Sequence, residues 1–475
     1  MGMGISPDID LSGTTYVGSQ PVPIFSQPPN HLPLENVRRL VERNRRDPCV
    51  VLAVARPMSI GSVGIIGAGM MGAAIAAAHI QHGLPVVICD ANEAVLAGAR
   101  RAIEAALQEG RLVEEPRKAR AKELVGRLVQ ATAELATVAH ADLVLESIVE
   151  TLSAKQGLYA QLQARLGAGT ILASNTSTIP VARLAEGLVE PDRFCGMHFF
   201  HPVAGRPLVE IARGPRTSDQ TVATAVAHVK AIGRMPIVVE DGPGLAVNRL
   251  LFPYLTEALE LLREGARIEE IEQAATDFGM ALGPLRLIDE IGLDTTLHAG
   301  WVLSAAFPER IVASPLLVTL VKAGRLGRKA GAGFFAYDDA AQAGALGLPS
   351  PHVKNMIARW TVAHRSHTPK SIADRLLLPM VLEATCLLEE GKVRDVRDLD
   401  LGAVFGLGFP PTRGGLLWWA DTLGAAEVVS RLRSLDGNHR RHRPTAMLEH
   451  LAHSGGRFHH DLSDQGTFQP PSQRL

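Results

Sequence analysis

At 475 residues, 46% of them hydrophobic and 20% charged, the chain holds apolar material for about three ordinary domains. Its 48 Lys and Arg against 49 Asp and Glu give a formal charge of −1, which excludes the basic excess that a partner nucleic acid or an anionic membrane demands, and no apolar run nears the ~20 residues of a membrane span. Four cysteines, Cys49, Cys89, Cys195 and Cys386, lack CxxC spacing, which excludes a zinc ribbon or disulfide framework and points to a soluble protein of a reducing, cytoplasmic compartment.

The N-terminal segment, 1–59, shows no signal-peptide grammar. Met1-Gly2 with Ser6 meets a loose myristoylation pattern that is common by chance. Residues 6–34 are rich in Pro, Ser, Gln and Asn without an apolar period, which predicts a disordered or draped linker. Leu34, Val37, Leu40 and Val41 then predict a short amphipathic helix over 34–46.

Order is expected from residue 60. Val63-Gly64-Ile65-Ile66 reads as a short buried strand, and Gly67-Ala68-Gly69-Met70-Met71-Gly72 opens an Ala-rich helix. Gly67 suits a tight strand-to-helix turn, Gly69 a close approach of backbone to pyrophosphate, and Gly72 close helix–strand packing. Free amides at the start of that helix, at Met70 and Met71, would face the phosphates. A second strand, 85–89, ends at Asp90, about 20 residues on, where a carboxylate accepts from the ribose hydroxyls. No Arg follows among Ala91 and Asn92, so NAD is expected over NADP; the bland alternative for Asp90 is a helix N-cap. Residues 92–137 carry a helical period sufficient for two long helices. Strands over 141–146, 170–174, 195–199 and 236–239, with a helix over 152–166, describe an α/β Rossmann-type doubly wound sheet spanning 60–241.

His198 lies at the end of one of these strands, where such sheets place their chemistry, and Glu210 follows at a distance a hairpin can close. Imidazole suits the proton of an alcohol, and a carboxylate would orient it. A buried structural histidine fits these two residues about as well.

Taken together, the glycine motif, Ser174-Asn175-Thr176-Ser177-Thr178, Met197-His198-Phe199-Phe200 and Pro243-Gly244 with Val247-Asn248-Arg249 resemble the 3-hydroxyacyl-CoA dehydrogenases. Gly283-Pro284, Asp289, Gly292-Leu293-Asp294, and Leu326 to Tyr337 extend the resemblance over about 60–340. It implies oxidation of a (3S)-3-hydroxyacyl-CoA substrate by NAD in fatty-acid β-oxidation. His198 would be the base, Glu210 its partner, and Ser177 and Asn248 the polar groups on the reacting oxygen or thioester carbonyl. Glu150, Lys155 and Asn175 match family positions near the cofactor. An ST-turn for Ser177 and a helix N-cap for Asn248 are the structural alternatives. His201 stands where the family usually has Asn, Gly244-Leu245-Ala246 where a bulky aromatic is usual, and Ala281-Leu282-Gly283-Pro284 where a Pro-Met-Gly-Pro run is usual, which opens the questions of pH optimum and acyl-pocket shape.

Residues 242–340 predict a helical domain that returns, at an offset of 126, over 367–455: Asn248-Arg249-Leu250 recurs as Asp374-Arg375-Leu376, Pro253 as Pro379, and Glu257 as Glu383. The fold class is thus the doubly wound sheet followed by two repeated all-α domains, joined by a linker over 341–366. Phe405 to Gly424 resembles the last domain of the multifunctional fatty-acid oxidation α subunits. That likeness implies a thiolase partner subunit, while stand-alone family members imply a homodimer; with little chain before the glycine loop, hydration and isomerisation are not expected. The second copy is expected to pack on the first. His439, His442, His450, His453, His459 and His460 lack a Cys or placed carboxylate, so a solvated basic tail and no metal site are expected, with disorder over 456–475. Two rival functions remain: a hydroxyacid dehydrogenase acting on free acids, a class that commonly uses a catalytic Lys and against which the His198/Glu210 pair counts, and a non-catalytic NAD-binding or scaffolding subunit.

Overall fold

A computed structural model describes residues 56–108, 115–337, 348–435 and 440–461. The expected helix over 34–46 and the Met1-Gly2 pattern lie outside the described residues. Among those described, no helix is long and apolar enough to cross a membrane.

Eight strands form one sheet: β1 (Val63–Ile66), β2 (Val86–Cys89), β3 (Val129–Thr132), β4 (Leu143–Glu146), β5 (Ile171–Ser174), β6 (Phe194–Phe199), β7 (Leu208–Arg213) and β8 (Met235–Glu240). Their order is β3-β2-β1-β4-β5-β6-β7-β8. The first six run parallel, β7 turns antiparallel to β6, and β8 follows β7 in parallel. Helices α1 (Met70–Ile80), α2 (Glu93–Gln108), α3 (Glu115–Leu128), α4 (Leu152–Leu162) and α5 (Asp219–Ala231) accompany the sheet. With helices on both faces, β1, β4 and β5 are buried along their whole length, which is why they read as continuous apolar runs. The chain order reverses between β1 and β4, opening a crevice at their C-terminal ends.

One strand departs from the sequence expectation. β3 falls inside the stretch read as two helices, because Val129-Gln130-Ala131-Thr132 is too short to show a period and becomes extended only by pairing with β2 at the sheet edge.

The helical part comprises α6 (Val247–Arg263), α7 (Ile268–Phe278), α8 (Pro284–Ile291), α9 (Leu293–Ala306), α10 (Pro315–Lys322), α11 (Pro351–Trp360), α12 (Pro369–Glu389), α13 (Val396–Leu401), α14 (Leu416–Leu423), α15 (Ala425–Leu435), α16 (Ala446–Ser454) and α17 (Phe458–Asp461). The repeated helices α6 and α12 pack on one another and exchange charges reciprocally. Arg249 bonds Glu383 (2.7 Å) and Glu390 (2.6 Å), while its counterpart Arg375 bonds Glu257 (2.6 Å) and Glu264 (3.1 Å). Residue i meeting j while j's counterpart meets i's is the signature of a two-fold interface, here built within one chain. The repeats match at their ends too. Asp289 accepts from the amides of Phe334 and Phe335, and Asp421 accepts from those of Phe458 and His459.

Three expectations change here. The interval 341–366 contains α11, whose Val353 is fully buried and whose Trp360 indole bonds Thr319, so it is more than a linker. Residues 456–461 are ordered, since Phe458 fills the place that Phe334 takes in the first repeat; 462–475 lie outside the described residues. Nor is the histidine-rich end a solvated tail throughout: His442 is buried against Glu257 (2.8 Å) and His459 pairs with Asp400 (2.8 Å).

Candidate active site

The glycine loop joins β1 to α1 at the crevice. Gly67 has φ of 102°, and a side chain there would drive into the Ser147 carbonyl, 2.4 Å from its Cβ. A Cβ on Gly72 would sit 1.8 Å from the Gly67 carbonyl, whereas Gly69 faces open space. α1 has Gly69 as its N-cap with no side-chain cap bond, so amides at Met70 and Met71 present positive dipole ends at the crevice; Met70 is half exposed. Asp90 takes the Ala68 amide on one oxygen and the Asn92 amide on the other, each at 2.8 Å. The helix-cap role falls instead to Asn92, which accepts from Ala94 and Val95. Each Asp90 oxygen keeps a lone pair for a further donor, so the loop and acid fit a dinucleotide.

Across the crevice, β6 and β7 form the hairpin that places His198 directly opposite Glu210. His198 Nδ1 bonds Glu210 Oε2 at 2.8 Å. The other Glu210 oxygen accepts from the amides of Ala246 (3.0 Å) and Val247 (2.9 Å), at the start of α6. A buried carboxylate thus meets the positive end of a 17-residue helix. The turn that aims those amides needs left-handed backbone at Gly244 (φ 74°) and at Leu245 (φ 51°), an uncommon conformation for Leu. A carboxylate only accepts, so opposite an ionised Glu210 a neutral His198 places its ring proton on Nδ1 and keeps the lone pair on Nε2.

Ser177 and Asn248 come together: Asn248 Nδ2 donates to the Ser177 carbonyl at 3.0 Å. Asn175 is turned to the backbone, accepting from the Phe199 amide (2.8 Å) and donating to Ser147. Glu150 gathers the Thr176 hydroxyl (2.6 Å) and the amides of Ser177 and Thr178. Burial alone would raise its pKa, but Lys155 and these donors outweigh it and hold the carboxyl below its usual range. Lys155 is fully buried between Glu146 (2.6 Å) and Glu150 (3.2 Å). Sequence reasoning overlooked Glu146, which also takes Tyr159 (2.6 Å) and Ser174 (2.8 Å) and ties β4, α4 and β5 together. A Glu closing the apolar run of β4 was the available signal. His201 precedes a cis proline, and desolvation followed by the nearby Arg206 charge lowers its pKa from the ordinary 6.5.

Residues 62–242 match the model of the 3-hydroxyacyl-CoA dehydrogenase NAD binding domain, and 244–337 match that family's C-terminal domain. A fatty acid oxidation complex subunit alpha from Pseudomonas syringae is 36% identical over 407 residues, covering 84% of this chain and 56% of its own length. The chain thus spans little more than half of that relative. Among solved structures, 3-hydroxybutyryl-CoA dehydrogenase from Escherichia coli superposes with a TM-score of 0.72 at 26% identity, covering 84% of this chain and 99% of its own. The (S)-3-hydroxybutyryl-CoA dehydrogenase from Ralstonia eutropha is 37% identical, with a TM-score of 0.55, 59% of this chain covered and all of its own.

Proposed function

The chain belongs to the 3-hydroxyacyl-CoA dehydrogenase family, and from that premise we propose that it oxidises (3S)-3-hydroxyacyl-CoA thioesters to 3-oxoacyl-CoA with NAD. The observation that carries the reading is the buried His198–Glu210 pair facing the glycine-loop crevice. Held at the glycine loop and Asp90, NAD would supply the acceptor for the hydride on C3 of the substrate. His198 Nε2 takes the 3-hydroxyl proton, and Glu210 stabilises the resulting imidazolium through Nδ1. Ser177 and Asn248 supply fixed polar groups for the substrate oxygen on which charge develops. Gly67, Gly69, Met70, Met71 and Gly72 line the phosphate approach and Asp90 the ribose. Glu150 and Asn175 shape the Ser177 loop and the end of β6, and Lys155 acts through Glu150. Fatty-acid β-oxidation is the setting, with a thiolase as the partner; the fatty acid oxidation complex subunit among the relatives supports the setting and an assembly with partner subunits. The domain division proposed is 60–241, 242–340 and a second helical domain beginning at 367.

The test is steady-state reduction of acetoacetyl-CoA with NADH, against NADPH as control, in the full chain and in His198→Gln. The variant should lose about 10²–10⁴ in kcat with little change in NADH affinity. Turnover near that of the unmodified chain would remove His198 from its role, and absence of any turnover in the unmodified chain would favour the scaffolding alternative.

A further inference from the structure

The second helical repeat meets the sheet beside the His198–Glu210 pair. His198, Glu210 and Ile237 are register partners across β6, β7 and β8, so their side chains share one face, which Leu208 joins two residues before Glu210. On that face lies a π-helical turn of the second repeat, Gly402–Leu407, which follows α13. A Cβ on Gly406 would stand 2.7 Å from Val247 Cγ1 and 3.3 Å from Leu208 Cδ2; one on Gly402 would stand 3.3 Å from Val247 Cγ2 and 3.7 Å from Ile237 Cδ1. The two glycines thus let the backbone of the turn rest on Val247, whose own amide holds Glu210. Two polar contacts converge on the same place. The Gly406 carbonyl accepts from the Arg206 guanidinium, in the loop that joins β6 to β7. Lys392, ahead of α13, donates to the Asp241 carbonyl at 2.5 Å and accepts the Glu240 amide at 2.8 Å, gripping the chain just before the Gly244 turn.

This turn belongs to the second copy alone. Glu272 in the first repeat and Asp400 in the second do one job, each accepting the amide of the second residue of a following helix, Leu285 in α8 and Leu417 in α14. Glu272 precedes the left-handed Gly279 by seven residues, whereas Asp400 precedes the left-handed Gly408 by eight. One residue more in an equivalent span widens a helix end into a π turn, a feature that recurs at functional sites. The first copy instead ends α7 regularly, and its Gly279 faces Pro410 of the second repeat.

We infer that the Gly402–Leu407 turn is a positioning element of the dehydrogenase site, with Gly406 and Arg206 as its positioning residues; the inference rests on the dehydrogenase reading above. Bearing on Val247 and holding the β6–β7 loop, it keeps the Ala246 and Val247 amides on Glu210 and thereby Glu210 on His198. Val favours one χ1 rotamer in a helix, so a methyl at position 406 is met by backbone displacement of most of an ångström and not by a swing of the side chain. A misplacement of that size lowers turnover by up to about 100-fold.

The experiment combines NADH fluorescence titration with acetoacetyl-CoA reduction, in the full chain, in Gly406→Ala, Val247→Ala and their double variant, and in Arg206→Met and Arg206→Lys. Turnover is expressed per NADH-binding site, so that unfolded molecules do not count. Gly406→Ala should lower kcat per site by about 10- to 100-fold while the Kd for NADH stays within about twofold. The double variant should stand within about threefold of Val247→Ala, because removing the Val methyls makes room for the new one. Arg206→Met should lower kcat per site several-fold and Arg206→Lys should recover part of the loss; this pair decides alone where Gly406→Ala binds no NADH. A double variant no more active than Gly406→Ala overturns the Val247 contact as the cause. Losses confined to the number of NADH sites, with kcat per site within about twofold in both Gly406→Ala and Arg206→Met, overturn the positioning role and leave the dehydrogenase standing. An unmodified chain that binds NADH and reduces no acetoacetyl-CoA overturns the dehydrogenase reading and this inference with it.

Discussion

Glu210→Gln alters neither the size nor the shape of a fully buried side chain, yet it leaves its surroundings with an unsolvable pairing problem. The carboxylate accepts three hydrogen bonds: from His198 Nδ1, and from the amides of Ala246 and Val247. A carboxamide has a single oxygen, which can face either His198 or the pair of backbone amides but not both. If it stays with the two amides, its NH₂ faces His198 Nδ1, which must become the acceptor, and the ring proton moves to Nε2. His198 then offers the substrate hydroxyl a donor where it needs a base. The equivalent change in a Ser-His-Asp triad costs about 10⁴ in kcat. Loss of general base catalysis alone accounts for about 10²–10⁴, or roughly 3–5 kcal/mol at about 1.4 per decade. If the oxygen turns to His198 instead, two buried amides meet a donor and stability falls by about 1–3 kcal/mol for each. The assay is acetoacetyl-CoA reduction by NADH, with thermal midpoint as the companion measurement. A kcat within threefold of the unmodified enzyme, with the thermal midpoint unchanged, would refute the argument that Glu210 sets the tautomer.

Arg375→Met should cost about 3–5 kcal/mol in urea unfolding, because it strands the buried Glu257 and Glu264 charges at the contact of the two repeats; a loss below about 1 kcal/mol would mean that Arg441 and His442 suffice for Glu257. A chain ending after Tyr337 should self-associate in light scattering, since it bares the α6 face that α12 covers; it should also lose activity, because Lys392 and Gly406 brace the β8–α6 junction. A soluble monomer with unchanged thermal midpoint and turnover would show the second repeat to be an independent module. The buried pair His79 and His228, with Nε2 atoms 3.0 Å apart, has pKa values pushed down to about 4 and about 3, chiefly by burial, with Arg234 and His82 adding to the effect on His79. Neutral rings favour the folded state, so their contribution is complete above about pH 6.5 and is lost as pH falls toward 4; unfolding by urea should show about 2 kcal/mol lost per ring by pH 5, and a pH slope unchanged in His79→Phe/His228→Leu would exclude the pair.

What the sequence determined by itself was whatever rests on neighbours along the chain. The Gly67–Gly72 turn, the strand-then-acid ending at Asp90, the apolar runs of β1, β4 and β5 and the 126-residue repeat all depend on local period or on backbone freedom at one residue. The His198–Glu210 pairing was legible because a hairpin is a local structure, and the antiparallel register brings the two face to face. Tertiary structure decided the rest, where the deciding partner comes from a distant segment. Val129–Thr132 is a strand only because β2 offers it an edge, and Phe458 is ordered only because Asp421 holds its amide and a repeat-wide core receives its ring. Lys155 is buried, rather than snorkelling to solvent, because Glu146 at the end of β4 and Glu150 after it share its charge, and Ser174 of the more distant β5 completes the pairing of Glu146. The sequence showed Arg249, Glu257, Arg375 and Glu383 as a conserved spacing between two copies. That the arginine of each copy would be neutralised by the glutamates of the other followed only from the two-fold packing of α6 on α12, which no spacing within a single copy encodes.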